Sequence, residues 1–133
     1  MRFEFTVLPG AVIDTPRPTV EVAVDGPSGS VSVVALVDTG TLHNRFGWWV
    51  ADALGIDLTQ DDIETIGVGG QRVEARTVVL PLRVGDFMWE APVSFCKPWP
   101  FAFQLVGQEG FLRWFRVTLD AADRSLELVP IGS

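Results

Sequence analysis

One carboxylate in this sequence directly follows an apolar segment with the composition of a buried strand. Residues 31–37 form a nearly continuous run of β-branched and aliphatic side chains, and the tripeptide Asp38-Thr39-Gly40 comes next. A carboxylate at the end of a buried strand must be hydrogen-bonded, paired or functional, because burial without a partner is costly. The Thr39 hydroxyl and the Gly40 backbone N–H could both brace it. The tripeptide therefore predicts either a strand-ending turn or a constrained carboxylate that performs acid–base chemistry.

The other side chains with nucleophilic or metal-binding chemistry have simpler interpretations. Cys96, the only cysteine, lies in an apolar run, which favours a buried structural thiol. A cysteine nucleophile would need the only histidine, His43, beside it, and no nucleophile motif surrounds Cys96. His43 could tune the Asp38 carboxylate or bind substrate, but a polar loop or helix-capping role is the simpler interpretation. One histidine and no ligand-spaced pairs of Cys or Glu predict no metal site and no cofactor.

The elements that would position Asp38 are mainly β-strands. Alternating apolar and polar residues predict strands at 3–8, 19–24, 72–82 and 88–95, and the 31–37 run predicts a central strand buried on both faces. Turn-forming residues at 25–29 and 84–87 separate neighbouring strands. A short strand is predicted at 103–106, and residues 116–119 and 125–129 predict a final hairpin.

One segment has helical periodicity. Its apolar residues recur at the spacing of one helix face: Phe46, Trp49, Val50, Ala53 and Leu54. They predict a helix that Asn44 caps and Gly55 ends. A second short helix is predicted at 110–115. The expected architecture is therefore mainly β with one or two short helices.

Size and charge limit the function classes. The chain has 133 residues, which predicts a single domain over 1–133. Its net charge of −7 argues against a nucleic-acid partner, because phosphate binding needs a basic face. The small basic cluster of Arg113 and Arg116 around Trp114 is interpreted as a solvated helix face. No segment approaches the roughly 18 consecutive apolar residues of a membrane span, and the N-terminus lacks a signal-peptide core. We therefore expect a soluble, cytoplasmic protein without a membrane partner.

Three short motifs follow one another along the chain. They are Leu36-Val37-Asp38-Thr39-Gly40-Thr41, the glycine-rich segment Ile66-Gly67-Val68-Gly69-Gly70, and Leu105-Val106-Gly107. Together they resemble the retropepsin-like aspartic proteases: the Asp-Thr-Gly signature, the tip of the flap hairpin, and the element that closes the loop carrying the aspartate. The resemblance spans about residues 20–128 and is closer to the bacterial and cellular branch of that family than to the minimal retroviral members.

The resemblance implies a fold, an activity and a set of site residues. The implied fold is a single-domain, closed β-barrel-like structure with a flap hairpin. The implied activity is that of an aspartic endopeptidase that holds an extended peptide beneath its flaps. The implied catalytic residues are Asp38, Thr39 and Gly40, the implied substrate-binding residues are Thr41, Gly67, Val68, Gly69 and Gly70, and the implied structural loop is Leu105, Val106 and Gly107.

The chemistry of this class also implies a homodimer. Peptide hydrolysis by aspartates needs two carboxylates sharing one proton, and the chain contains one Asp-Thr-Gly. A second copy must come from a second chain across a twofold axis, so a monomer is expected to be inactive.

Two departures from the family pattern concern that dimer. Leu42 and Gln108 stand where retroviral members often have an Asp and an Arg that form an ion pair. The joint loss is self-consistent, because a single survivor would be a buried charge without a partner. A non-catalytic peptide-binding or dimerisation module on the same fold remains the alternative function. The aromatic segment Trp99, Phe101 and Phe103 is interpreted as core or interface packing, with the wall of a peptide cleft as the alternative.

Overall fold

The computed structural model describes residues 1–60 and 63–131. In this part of the chain the strands are β1 Arg2–Glu4, β2 Thr19–Gly26, β3 Gly29–Val37, β4 Asn44–Gly47, β5 Glu64–Val68, β6 Gln71–Val84, β7 Phe87–Lys97, β8 Gln104–Val106, β9 Phe115–Asp120 and β10 Ser125–Pro130. The α-helix, α1, is Trp48–Leu54, and 3-10 turns occupy Leu58–Gln60 and Leu112–Trp114.

Six strands close into a barrel. Their order is β2-β3-β8-β4-β7-β6, and pairing of β6 with β2 closes the ring. The long β6 extends past the barrel and pairs with β5, which forms a hairpin outside the closed ring. The prediction of a mainly β, closed barrel-like fold with a flap hairpin is confirmed. The long β6–β7 hairpin turns at Gly85 with φ +56°, a left-handed conformation that favours glycine, as the turn prediction for 84–87 requires.

The barrel interior is filled by alternate residues of these strands. Val22, Val24, Leu82, Phe46 and Phe95 are essentially inaccessible to solvent, and the two phenylalanine rings meet edge to face.

The prediction that 31–37 is buried on both faces is wrong. In β3, Val33 and Ala35 are buried while Val34 between them is 37% exposed. The strand is central in the sheet, with β2 and β8 as neighbours. A closed barrel has one interior face, however, so the alternate side chains of β3 point outward.

The helix is shorter than its periodicity predicts. Asn44 does not cap it, and Phe46 belongs to β4 because residues 44–47 pair with β7 and β8. Gly47, in an extended conformation, precedes the first helical residue. Of the predicted apolar face, Val50 and Leu54 are buried, but Trp49 is 46% exposed. The predicted end is confirmed: Gly55 is left-handed, and its N–H bonds to the last helical turn.

A second, three-stranded sheet packs β1 and β9 on either side of β10. It contains the predicted final hairpin, whereas the first strand ends at Glu4, short of the predicted residue 8. The predicted helix at 110–115 is a 3-10 turn, in which exposed Arg113 pairs with Glu109 at 3.2 Å. No helix in the described part of the chain is long and apolar enough to cross a membrane.

Candidate active site

Asp38 lies at the point where β3 ends against β8. The parallel pairing of β3 with β8 continues through Asp38, whose backbone N–H donates to the Val106 carbonyl at 3.0 Å. The Gly40 backbone N–H donates to Oδ1 of the Asp38 carboxylate at 2.8 Å, which is the bracing that the sequence suggested. The Asp38 side chain is partly exposed. The structure therefore holds a partly exposed carboxylate in a fixed orientation at the end of a central barrel strand.

The loop that carries Asp38, residues 38–43 (the Asp38 loop), is bonded to the segment after β8. The Gln108 N–H donates to the Thr41 carbonyl at 3.0 Å, and the Glu109 N–H donates to the Leu42 carbonyl at 2.8 Å. Gly107 lies where a side chain has no room: a Cβ there would be 2.5 Å from the Thr41 carbonyl oxygen and 2.8 Å from that of His43. The structure thus brings Val106 and Gly107 against the Asp38 loop, while Leu105 pairs with Leu36 and Arg45 on the strands beside it.

Gln108 makes a further bond to this loop. Its side-chain Nε2 donates to the Thr39 carbonyl at 2.7 Å. The Thr39 carbonyl accepts this hydrogen bond, whereas the Thr39 hydroxyl forms no hydrogen bond with any described residue. Gln108, one of the two positions where the sequence departs from the retroviral ion pair, thus forms a neutral hydrogen bond to the Asp38 loop. The sequence identified Gln108 as a departure but not as a contact of the loop.

Asn44 is the buried polar residue that sequence reasoning misassigned. Its side-chain amide donates to the Gly110 carbonyl at 3.0 Å and accepts from the Gly107 N–H at 3.3 Å. The Gly110 carbonyl also accepts from Trp89 Nε1 at 2.9 Å. Asn44 therefore connects β4 to the segment after β8, and through it supports the Asp38 loop. The available sequence signal was a polar residue in a strand-compatible run that also contained Phe46.

The flap hairpin is formed by β5 and β6. Gly69 and Gly70 make its two-residue turn with φ +56° and +79°, the conformation that tight hairpin turns demand and that glycine adopts readily. Gly67 lies in β5 with open space around it. The predicted glycine-rich tip of the flap is therefore a hairpin tip in the structure.

The underside of the flap is apolar. Val68 is only 6% exposed, and it belongs to a compact group, which we term the flap cluster, comprising Val68, Val73, Ala75, Cys96 and Leu105. Leu36, two residues before Asp38, packs against this cluster. The flap therefore covers the same outer face of the barrel on which the Asp38 strand ends.

An aromatic wall borders the flap cluster. Trp99 and Phe101 meet edge to face with ring centroids 5.4 Å apart, and Phe101 and Phe103 stack at 5.0 Å. The Trp99 indole N–H donates to the Phe103 carbonyl at 2.9 Å. The tip of the flap rests on this wall, since a Cβ at Gly69 would be 3.3 Å from the Phe101 ring. All three rings are partly buried, and within the chain they pack against the flap cluster.

Cys96 is a buried structural thiol, as its apolar sequence context indicated. Burial raises the pKa of the Cys96 thiol to about 11, with a smaller opposing effect from Arg45. The thiol therefore stays protonated at neutral pH and is not available as a nucleophile. His43 contributes its backbone carbonyl, which accepts from the Thr41 hydroxyl at 3.3 Å.

The structure thus combines a six-stranded barrel, an Asp-Thr-Gly loop braced by the strand beside it, and a glycine-tipped flap, which are the features that the resemblance to retropepsin-like aspartic proteases implies. Comparison with known proteins gives the same family. The family model described as aspartyl protease matches residues 20–98, more than half of the sequence, and the chain belongs to that family.

Solved structures show the same fold. A retropepsin-like aspartic protease from Rickettsia conorii superimposes with a TM-score of 0.68 at 16% sequence identity, covering 97% of this chain and 98% of that one. The retroviral protease-like domain of Ddi1 from Leishmania major gives a TM-score of 0.55 at 15% identity, covering 85% of this chain and 95% of that domain. The predicted retropepsin-like fold is confirmed. No curated protein matches the sequence.

Proposed function

We propose that this aspartyl protease is an endopeptidase that works as a homodimer, with Asp38 of each chain forming one shared catalytic dyad. The observation that carries the proposal is the Asp38 carboxylate, which the Gly40 N–H holds at 2.8 Å on a loop fastened to β8. Such bracing keeps the carboxylate in one orientation, which acid–base chemistry requires.

The dyad would perform hydrolysis by two proton transfers. The ionised carboxylate takes a proton from a water, whose oxygen attacks the peptide carbonyl carbon, while the protonated carboxyl donates to the carbonyl oxygen. The tetrahedral intermediate then collapses as a proton passes to the amide nitrogen and the C–N bond breaks. One carboxylate cannot be both donor and acceptor at the same step, so the second chain completes the site.

Thr39 and Gly40 would set the orientation of the carboxylate, and Thr41 would line the cleft beside it. Gly40 already donates to Asp38 in the single chain, while the exposed Thr39 hydroxyl remains available for a contact across the dimer. Leu105, Val106 and Gly107 would fix the loop from behind. Gly107 supports this positioning role because the Thr41 and His43 carbonyls leave no space for a Cβ.

The flap would hold the substrate. Its tip, Gly67 to Gly70, has strand geometry on both sides and glycines that allow a peptide backbone to approach closely. Substrate entry requires the flap to lift from the aromatic wall, because the tip now rests on Phe101.

The test is cleavage of a peptide library at mildly acidic and neutral pH. Asp38→Asn is expected to lower the cleavage rate by at least about a thousandfold, because general acid–base catalysis contributes at this level. Asp52→Asn, at an exposed position of α1, is the matched control and is expected to leave the rate unchanged. Full cleavage by Asp38→Asn would refute the assignment. Binding of peptides without any cleavage would favour the non-catalytic module instead.

A further inference from the structure

Arg45 lies on the face of the barrel that the flap covers. It pairs with Leu105 of β8, and Leu105 pairs with Leu36 of β3, two residues before Asp38. Side chains directly opposite each other in paired strands point to the same face of a sheet. Arg45 therefore shares a face with Leu36 and with Leu105 of the flap cluster.

The distance from Arg45 to Asp38 suits a contact with a bound peptide. Neighbouring strands lie about 4.8 Å apart, so two strand spacings and two residues along β3 place the Arg45 and Asp38 Cα atoms roughly 12 Å apart. An extended peptide advances about 3.3 Å per residue. The long arginine side chain could thus reach a substrate side chain two or three residues from the scissile bond.

The Arg45 guanidinium is partly buried, and it has no ion-pair partner among residues 1–60 and 63–131. Within the described residues the ion pairs are Arg2–Asp123 and Arg113–Glu109, and the Arg45 side chain also donates no hydrogen bond there. Burial lowers the pKa of Arg45, while the nearby Cys96 and Glu64 oppose this shift. An arginine keeps its charge in proteins, so the group is a partly desolvated cation that a carboxylate would stabilise.

The described neighbours of Arg45 do not supply a counter-ion, so a ligand could supply one. Ser94 stands opposite it in β7, and the Ser94 hydroxyl hydrogen-bonds with that of Thr77 at 2.9 Å. Glu64 of the flap strand lies near enough to favour the charged form of Arg45, yet not within ion-pair distance. Among the described residues, the polar neighbours that these pairings and charge effects identify are therefore two hydroxyls that bond each other and one separated carboxylate.

We propose that Arg45 is a specificity-determining residue that selects an aspartate or glutamate side chain of the peptide substrate, two or three positions from the scissile bond. The proposal rests on the proposed protease function of the Asp38 site. A carboxylate matches the planar fork of the guanidinium and can accept two parallel hydrogen bonds from it, which a neutral amide cannot do as well.

The test compares peptides that differ only by Glu, Gln or Lys at each position near the cleaved bond. The wild-type enzyme is expected to favour Glu over Gln by about tenfold in kcat/KM at one position. Arg45→Gln should abolish this preference, Arg45→Lys should retain part of it, and Arg45→Glu should favour Lys. Arg83→Gln, at an exposed position of β6, is the control and should keep the wild-type preference.

A binding measurement separates this proposal from the protease assignment. Calorimetry with the Asp38→Asn variant should show tighter binding of the Glu peptide than of the Gln peptide, whether or not the wild type cleaves either. Tighter binding of the Glu peptide without cleavage of any peptide would contradict the protease function but would support the role of Arg45 in selecting a carboxylate. Equal kcat/KM and equal affinity for the two peptides in the wild-type background overturns the role of Arg45, even if cleavage is efficient. Thermal unfolding of each arginine variant shows that the comparison is made on folded protein.

Discussion

The Asp38 loop and the tip of the flap are held in place by different kinds of interaction. Directional hydrogen bonds fasten the loop, including those from the Gln108 and Glu109 N–H groups and that from the Gln108 side chain. The tip is held by apolar contacts of Val68 with the other members of the flap cluster and by its position on Phe101. Apolar contacts are non-directional and can be exchanged for contacts with a substrate, whereas a hydrogen-bonded loop has one geometry. Under the proposed function, the chemistry that needs precision would lie on the barrel, and the binding that needs movement would lie on the flap hairpin outside it.

The largest expected difference in stability is between two glycine-to-alanine variants, one beside the Asp38 loop and one in the flap. Gly107→Ala should destabilise the protein by about 3 kcal/mol and abolish peptide cleavage, because its Cβ would lie 2.5 Å from the Thr41 carbonyl oxygen. Gly67→Ala should change the free energy of unfolding by less than about 1 kcal/mol, since nothing lies within 4 Å of a Cβ there. Urea unfolding of both variants measures the difference. Equal destabilisation would remove the contrast between the two regions.

Removal of the buried amide behind the loop should have the next largest effect. Asn44→Ala deprives the buried Gly107 N–H of its acceptor, and it should cost about 2 kcal/mol of stability and lower kcat. Asn44→Asp keeps an acceptor for the Gly107 N–H but would bury a carboxylate beside the Gly110 carbonyl, so it should be destabilised at least as strongly as Asn44→Ala. A fully active, fully stable Asn44→Ala would show that this amide does not support the site.

A smaller effect, mainly on substrate binding, is expected from the aromatic wall. Phe101→Ala should cost about 1 kcal/mol of stability, because the ring is only partly buried, and should raise KM more than it lowers kcat. Phe101→Leu keeps much of the apolar surface and serves as the control. Steady-state kinetics on one peptide series measures both constants. A fall in kcat with unchanged KM would place Phe101 with the chemistry rather than with binding.

The smallest effect concerns Cys96 beneath the flap. Its pKa is raised to about 11, so the neutral thiol favours the folded state, and this contribution is present below about pH 9 and is lost as the pH rises through 11. Native protein at pH 8 should therefore resist thiol-specific labelling, and the label should bind fully in denaturant. Rapid labelling of the native protein, followed by mass spectrometry, would mean that the flap opens far enough to expose the cluster.

The sequence pattern predicted the elements whose conformation depends mainly on their own residues. Strands β2, β3 and β6 to β10, the β6–β7 turn, the flap tip and the loop of Asp38 follow from alternation and from glycine and aspartate positions. Strand β5 was not predicted, β4 was assigned to the helix, and β1 is shorter than predicted. Periodicity failed at Phe46, because an i, i+3, i+4 pattern continued from strand β4 into helix α1 without a break. It failed at Val34 as well, because barrel closure decides which face is buried.

The supporting bonds could not be read from local sequence. Asn44 bonds to Gly110, 66 positions further along the chain, and Gln108 bonds to Thr39, 69 positions before it. Such pairs are defined only when β8 inserts between β3 and β4. The predicted single domain over 1–133 and the catalytic roles of the site residues remain predictions.

The most direct test of the shared dyad is a mixing experiment between wild-type protein and Asp38→Asn, with total concentration held constant above that needed for dimer formation. Random pairing at equal amounts leaves about one quarter of the dimers with two Asp38 carboxylates, so activity should fall to about a quarter of the wild-type value. Independent single-chain sites would instead retain about one half. A linear dependence of activity on the wild-type fraction would contradict a site built by two chains.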